Sequence, residues 1–424
     1  MKKLLAVVAF VVVLSGALSA RAETLTETEK NMPIAKRTEI RLLIEDLGNY
    51  REAQVKAIDK LVEIGSDAVP ILLRYVRKCE NENIRANICI VLGRIGDPEA
   101  IPAIGALLAD ESQYVRFMAQ EGLRLLAHAD NDSALMDVVD YLREKVKVKD
   151  DSVRSLAVEV LVDLNPADLW EDILGLLKDP YWKVRADAAK ALGGISTTVT
   201  VEQQGTICNA LMPLFSDKSP VVRRSAAIAG GFYLSLSTMY ILPEEDEEGK
   251  FKGFKASPNL GVVNTLADKE IALLSDPEEG VRTAAGYALG NVWTTKAKEA
   301  APKVMAALIR ALDDKSAEVR MAAAASLGRI GDKSAVDALI AHLDEEVPLV
   351  LNVIVEALRR RTLKNFGFQP YDILDESPDN PIDTLEKYEE AKERLARKRK
   401  EAIDKWKQWW AENKDTFEVN EIIR

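Results

Sequence analysis

The chain has 424 residues, of which 47% are hydrophobic, 29% are charged and only 6% are aromatic, and its formal net charge is −11. This acidic balance argues against duplex nucleic acid as a partner, because the phosphates bind basic surfaces. With only two histidines and with three cysteines that have no C-x-x-C spacing, the sequence excludes multi-histidine metal sites, zinc ribbons and thioredoxin-like motifs. The length would suit roughly two or three ordinary domains.

Residues 1–22 have the pattern of a secretory signal peptide. Two lysines precede an apolar run over 4–14, and small residues before Glu23 offer an A-x-A cleavage site after Ala22. The alternative is an uncleaved membrane anchor, because the uncharged stretch 4–20 reaches the lower limit of spanning length. Cleavage removes three of the 57 basic residues, which lowers the net charge from −11 to −14. We therefore expect a periplasmic or secreted protein, associated with a membrane only if the segment stays uncleaved, and a linker over 23–38.

A repeated pattern, V-R-x-x-A-x-x-x-L, dominates the region 39–361. The apolar residue before the Arg, the Ala three residues after it and the Leu seven residues after it share one face of a helix, so each copy predicts an amphipathic first helix, helix A. Two copies are degenerate, with Gln54 and Leu351 at the Arg position. The nine Arg positions are residues 54, 85, 116, 154, 185, 223, 282, 320 and 351.

Local signals place the ends of the helices within each copy. Asp97-Pro98-Glu99 has the order of an N-cap, a first-turn proline and a first-turn carboxylate, which predicts the start of a second helix, helix B. Since a single helix pair cannot bury its apolar face, the copies must stack. Five copies place a glycine where a left-handed cap is expected to end helix A: Gly93, Gly193, Gly231, Gly290 and Gly328.

The run from Val319 to Leu339 (V-R…A…L-G-R-I-G-D…A-V…L) resembles the short bacterial HEAT repeat, including the PBS-lyase HEAT-like variety. The resemblance covers about residues 50–360 and implies an all-α fold, a right-handed α-solenoid of about nine HEAT-like helix pairs. It also implies that the Asp six residues before each repeat Arg, together with the Arg, forms a structural ladder between adjacent repeats. These residues are Asp110, Arg116, Asp179, Arg185, Asp217, Arg223, Asp276, Arg282, Asp314 and Arg320.

The copies differ in length at one place, between helix A and helix B. Three copies carry seven extra residues, and the sixth repeat carries a long insert over 237–264. Insertions along one edge of an array favour a binding surface, although exposed loops also tolerate drift. Within the insert, five acidic residues precede a Lys/Phe alternation that is compatible with a small hairpin or a segment that orders on binding. The acidic run lacks the spacing of a Ca²⁺ loop and predicts a solvated loop.

Aromatic side chains in the repeats and in the insert are candidates for contact with a partner, since Trp and Tyr dominate interface hot spots. Those near the start of helix A have packing on the neighbouring repeat as an alternative. A Cys79–Cys89 disulfide stays open for an exported protein, although Cys89 occupies an Ala-like position that predicts a buried thiol. The aromatic candidates are Tyr114, Tyr181, Trp182, Phe251, Phe254 and Trp293.

The pattern changes after residue 361. Gly and Pro interrupt residues 362–381, which predicts a linker, and residues 382–424 predict a charged, Trp-rich helix and tail. Trp406, Trp409 and Trp410 share one face of this helix, which is too much apolar surface to leave in water. One interpretation is a capping helix on the last repeat. The other is a helix that binds a partner or a membrane surface through its basic residues.

Sequence motifs for phosphate loops, zincins, hydrolase elbows and dinucleotide sites are absent. His128 and His342 are expected in a surface loop and in helix B rather than as catalytic bases. We therefore predict a non-catalytic exported scaffold, without cofactor or metal, that binds protein partners through its concave face or its A–B loop edge. The resemblance leaves an alternative, an enzyme or cofactor-binding subunit related to the bilin lyases, whose E/F-type subunits carry such repeats. The export signal argues against it, because that chemistry is cytoplasmic.

Overall fold

The computed structural model describes residues 26–49, 52–129, 133–164, 169–245, 250–292, 296–367 and 384–418. The predicted signal peptide lies outside these residues, as do Trp293 and most of the predicted linker 362–381. The chain divides into two units, residues 1–164 and 165–424.

The first unit is built from helices. The Arg positions of the first four copies lie in α3, α5, α7 and α9, and each of these A helices packs on the next one. The helices are α1 (Glu27–Asn31), α2 (Ile34–Asp46), α3 (Glu52–Ile64), α4 (Val69–Val76), α5 (Glu82–Ile95), α6 (Ile101–Ala106), α7 (Gln113–Ala127), α8 (Ala134–Lys145) and α9 (Asp151–Leu164).

Residues 27–31 and 34–46 are helical, although the sequence suggests a linker over 23–38. Thr26 begins α1 with a capping box, in which its hydroxyl accepts from the Glu29 amide and the Glu29 carboxylate accepts from the Thr26 amide. In α2, Ile40 and Ile44 are buried, and the helix packs on α3. The physical reason is that the first repeat also has an apolar face to cover, which a search for the repeat pattern does not reveal.

The second unit continues the same plan and adds one hairpin. The remaining five Arg positions lie in α11, α13, α15, α17 and α19, again packed in succession. The helices are α10 (Leu169–Leu174), α11 (Trp182–Gly194), α12 (Val201–Leu211), α13 (Pro220–Ser235), α14 (Leu260–Leu273), α15 (Glu279–Leu289), α16 (Ala300–Ala311), α17 (Ala317–Ile330), α18 (Lys333–Ala341), α19 (Pro348–Thr362) and α20 (Leu385–Asn413). The strands are β1 (Ile241–Glu245) and β2 (Phe251–Ala256). The predicted all-α solenoid fold is thus confirmed, with the hairpin as an addition.

The cores of both units consist of Ala, Leu, Val and Ile from the predicted helix faces. The Ala three residues after the repeat Arg and the Leu seven residues after it are buried, as Ala323 and Leu327 show in α17. Small Ala residues at the centre of this face let neighbouring helices approach closely. Asp97 is an N-cap as predicted, since its carboxylate accepts from the Glu99 amide at 3.0 Å, but it begins a 3₁₀ turn (Pro98–Ala100) that leads into α6.

The glycines near the ends of the A helices do not form the predicted left-handed caps. Gly93 and Gly328 lie inside α5 and α17, and Gly290 ends α15 with a right-handed φ of −67°. A Cβ added at Gly328 would lie 2.8 Å from the Cα of Ala357, and one at Gly93 would lie 2.5 Å from a backbone oxygen of α7. Glycine is required here because the next A helix passes too close for a side chain. The left-handed cap of α5 is Gly96, with φ 74°.

A Gly-to-Ala pair tests this explanation. Gly328→Ala is expected to lower the free energy of unfolding by about 1–3 kcal/mol, since the added methyl forces α17 away from α19. Gly261→Ala, in a helix position with no atom within 4 Å of the added Cβ, is expected to be neutral or to stabilise by up to about 1 kcal/mol. Urea unfolding of both variants measures the difference, and equal midpoints would contradict the close-approach explanation.

Candidate functional site

Arginine–carboxylate pairs link successive repeats within each unit. Each Arg binds its carboxylate with two hydrogen bonds, from Nε and from Nη2, as in the Arg282–Asp314 pair at 2.8 and 3.0 Å. The Nη1 of the same Arg282 donates to the backbone oxygen of Asp276, six residues before it. Every such Arg therefore fixes two inter-repeat turns. The pairs are Arg85–Asp110 in the first unit and Arg185–Asp217, Arg223–Asp276, Arg282–Asp314 and Arg320–Glu345 in the second.

The carboxylates of these pairs are charged by a balance of opposing effects. Burial by itself would raise the pKa of Asp276. The pKa nevertheless lies below its usual value, because Arg223 and the Glu278 amide donate hydrogen bonds to the carboxylate and because Arg223 and Arg282 are positively charged. The pKa values of Asp110, Asp217 and Asp314 are lowered for the same reasons. A carboxylate held in this way is a structural element of the turn.

The remaining ladder residues predicted from sequence occupy the same turns. Arg116 donates to the backbone oxygens of Asp110 and Glu111, and the Asp179 carboxylate accepts from the Tyr181 amide. Two participants, Arg85 and Glu345, were missed. The signal for both was present, since Arg85 is at a repeat Arg position and Glu345 lies six residues before position 351.

The tryptophans of the last helix are largely withdrawn from solvent. Trp406 is 0% exposed and packs edge-on against Phe366, and the Trp410 Nε1 donates to Asp337 of α18 at 2.6 Å. Lys407 pairs with Asp344, and Arg399 donates to the backbone oxygen of Glu345. Trp409 is half-buried against Phe366 and Trp406. These contacts favour the capping interpretation of α20, because the buried rings of Trp406 and Trp410 have no surface to offer a partner.

The candidates in the repeats keep partial exposure. Tyr114 and Trp182 are exposed near the start of their A helices, and Tyr181 is half-buried beside Trp182 with ring centroids 5.8 Å apart. The two Phe candidates of the insert are the most exposed, at 59% for Phe251 and 64% for Phe254.

A β-bulge places the two Phe side chains on one face of the hairpin. In regular alternation, residues 251 and 254 would point to opposite faces of the strand. The register shifts between Glu244 and Glu245, so that Gly253 pairs with Glu244 and Phe251 pairs with Glu245, which leaves Lys252 as the extra residue. Gly253 has φ 143°, a conformation that favours glycine. The rings of Phe251 and Phe254 consequently meet edge-on with their centroids 5.2 Å apart.

The hairpin stands on a buried base. The Ser257 amide donates to the Tyr240 backbone oxygen at 2.9 Å, and the Asn259 amide side chain donates to the Val201 backbone oxygen at 2.7 Å. Tyr240 and Met239 are buried at the same place. The strands are therefore attached firmly to helices α12 and α13, while their Phe face projects into solvent. The insert ends at Asn259, where α14 begins, rather than at the predicted 264.

The histidines and cysteines form no nucleophile pair within the described residues. His128 Nδ1 lies 2.8 Å from the Arg124 backbone oxygen, and His342 lies between the Ala338 backbone oxygen and Asp313. Cys79, Cys89 and Cys208 are free thiols, so the disulfide considered for the first two does not form. Burial raises the pKa of the Cys89 thiol, which keeps it protonated and unreactive.

Neither a cluster of metal ligands nor a membrane-spanning helix occurs among the residues that the structure describes. No group of three or more His, Cys, Asp or Glu side chains is placed to hold a metal ion. In the same part of the chain, no helix has the length and apolar character needed to cross a membrane.

Several solved structures and one family model are similar to the chain or to parts of it. The chain is similar to an engineered protein (18% identity, 89% of this chain and 99% of that one, TM-score 0.44) and to YibA of Escherichia coli (18% identity, 74% and 98%, TM-score 0.45). It is also similar to a mutant of Kap121p (13% identity, 78% of this chain and 39% of that one, TM-score 0.55), which shows the fold alone. No curated protein matches the chain. Residues 41–124 and 267–359 match the family model for HEAT repeats, and the described helices are arranged as an all-α solenoid.

Proposed function

We propose that the protein is an exported, non-catalytic scaffold that binds a protein partner through the A–B loop edge of its repeats, with the hairpin 241–256 as the contact. The observation that carries this proposal is the exposure of Phe251 and Phe254 on one face of the hairpin. Burying a Phe side chain stabilises a complex by about 1.5–3 kcal/mol, so this pair is a sufficient apolar anchor. HEAT-repeat arrays typically bind proteins, which agrees with this role.

The edges of β1 and β2 are less suited than the Phe face to contact a protein partner. Pro243 interrupts the edge of β1, because it has no N–H to donate, and Lys252 and Lys255 lie along β2. Proline and lysine at a sheet edge discourage pairing with another strand. The Phe face, flanked by Glu245 on β1, is therefore the surface that a partner is expected to cover.

Removing the Phe face is expected to abolish partner binding without unfolding the protein. In a Phe251→Ser/Phe254→Ser variant, proteins that co-purify from the native envelope fraction should be lost, while the free energy of unfolding changes by less than about 0.5 kcal/mol, as for other exposed positions. Leu349→Ser, at another exposed apolar side chain in α19, is the matched control and should keep the partners. An unchanged partner set in the double variant would contradict the proposal.

A deletion gives an independent test, and the structure fixes its limits. Ser257 and Asn259 must be retained because they hold the buried base. Deleting 243–255 and closing the gap with two glycines should therefore leave the circular dichroism spectrum helical and the unfolding midpoint unchanged. Partner loss without loss of fold is the expected result. If the partners persist, the hairpin is only a tolerated insertion.

Export is tested separately by the N-terminus of the mature protein. We expect Edman or mass-spectrometric analysis of protein from the native host to find Glu23 first, in the periplasmic or culture fraction. A mature protein that keeps residues 1–22 would favour the membrane-anchor alternative.

A further inference from the structure

Helices α13, α15 and α17 enclose a groove of about 510 Å³ in the second unit. Its floor consists of small residues, including Gly231 and Ala288, where a Cβ on the glycine would lie 3.1 Å from the alanine. Its walls are Ile228, Phe232 (48% exposed) and Tyr287 (45% exposed). The small floor lets α13 and α15 approach, so that the large side chains stand beside an open channel.

The repeat itself does not require these apolar walls. Ile228 and Tyr287 both lie five residues after their repeat Arg, on the exposed side of helix A. The equivalent residues of the other A helices in the second unit, α11, α17 and α19, are Lys190, Ala325 and Glu356. Since charged and small residues serve the fold at this position in the other A helices of this unit, the exposed Ile and Tyr distinguish the groove within the second unit.

Two carboxylates lie at one end of the groove. Glu279 and Glu318 are exposed residues in the first turns of α15 and α17, and both line the groove. The Ser316 hydroxyl donates to Glu318 at 3.1 Å. At neutral pH two adjacent carboxylates repel each other, and a cation placed between them removes this repulsion.

The cations of the groove do not take this position. Arg329, at the opposite end, is bound through its Nη1 to the Asn291 side chain and through its Nη2 to the Tyr287 backbone oxygen, both at 3.0 Å. Arg224 extends from α13 to Gly280, the residue that follows Glu279 in α15. The groove is therefore acidic on its α15–α17 side and apolar at its centre.

We propose that this groove binds a segment of a protein partner in which a Lys or Arg lies beside a large apolar side chain. The apolar side chain occupies the space between Phe232 and Tyr287, and the cation binds Glu279 and Glu318. The proposal adds a second surface to the hairpin of the proposed function, with a different chemistry.

Selection of peptides from a random 12-residue phage library on the full-length protein tests this inference. We expect the recovered peptides to share a basic residue next to an aromatic or large aliphatic one. Fluorescence anisotropy with the synthetic peptides should then show at least tenfold weaker binding to Tyr287→Ala and to Glu279→Lys/Glu318→Lys than to the wild-type protein. A Glu386→Lys/Glu390→Lys variant, which makes the same charge change at exposed positions on α20, should bind as the wild type does. Thermal melts of all variants verify that they are folded.

A second peptide selection tests the charge preference of the groove without relying on the peptides from the first selection. Carried out on Glu279→Lys/Glu318→Lys, it should recover acidic instead of basic peptides. Recovery of no binder, of peptides without a basic residue, or of peptides that bind Tyr287→Ala unchanged would overturn the inference. The Phe251→Ser/Phe254→Ser variant should bind the selected peptides with wild-type affinity, so that failure of the groove and failure of the hairpin are separate results.

Discussion

Asp276→Ala is expected to lower the free energy of unfolding of the second unit by about 3 kcal/mol, the cost of removing one partner from a buried ion pair. Asp276 accepts two hydrogen bonds from Arg223, at 2.6 and 2.9 Å, and its side chain is almost fully buried. The variant leaves the mostly buried Arg223 guanidinium without its counter-charge. It also removes the acceptor for the Glu278 amide at the start of α15.

The control for this prediction is an exposed pair of the same type. Arg94 and Asp59 form an ion pair at 2.9 Å, and their side chains are 41% and 58% exposed. Asp59→Ala should therefore cost less than about 1 kcal/mol. Guanidinium chloride unfolding compares the two variants. An Asp276→Ala loss as small as that of Asp59→Ala would show that the ladder contributes little to stability.

The ladder also sets a pH dependence. The pKa of Asp276 is lower in the folded protein than in the unfolded chain, so the unfolded state binds protons first as the pH falls. The stability from this carboxylate is fully present above its unfolded pKa, near 4, and is lost as the pH falls through the folded pKa. Asp276→Ala should therefore flatten the acid limb of the stability curve as well as lower it.

In the ladder, the sequence predicts which residues take part but not how they pair. The spacing identifies the Arg positions and the turn Asp, because both recur at fixed distances within a copy. It does not reveal that Arg223 binds Asp276, since the hairpin insert lies between them and partners in other copies are 25 or 32 residues apart. The pairing follows the stacking of repeats, which depends on the turns and not on sequence distance.

Structural features that depend on contacts between two elements are harder to predict from the sequence than features within one copy. Gly328 looks like a helix cap within its own copy, and only Ala357 in the next helix explains it. The shared face of Phe251 and Phe254 depends on a bulge, which alternation does not reveal. The groove beside Tyr287 was missed altogether, although its aromatic side chain differs from the charged or small residues found at the same register in α11, α17 and α19.

Glu270 in α14 is an exception to the pairing of buried charges. Its side chain is 0% exposed, and neither carboxyl oxygen has a hydrogen-bond partner. It faces Gly230 of α13, where an added Cβ would lie 2.6 Å from its Oε1, beside Leu266 and Phe215. Burial therefore raises its pKa well above the ordinary value, and the folded protein keeps a proton that the unfolded chain releases.

The sign of the resulting pH effect is opposite to that of the ladder. Between the unfolded pKa of about 4.3 and the higher folded pKa, the folded state binds more protons, so Glu270 makes the stability fall as the pH rises. The loss is about 1.4 kcal/mol per pH unit at most for one group. Above the folded pKa the penalty is constant, because both states have then released the proton.

Glu270→Gln is accordingly expected to stabilise the second unit at pH 7, because the variant has no carboxyl group that the fold must keep protonated. The amide has nearly the same shape but does not ionise, so the variant should also lose the decline in stability between pH 4.5 and 7. Urea unfolding across this range, with the exposed Glu171→Gln in α10 as the control, measures both effects. If the wild-type and Glu270→Gln curves run parallel, the carboxyl titrates alike in the folded and unfolded states, and the buried position of Glu270 has no energetic consequence.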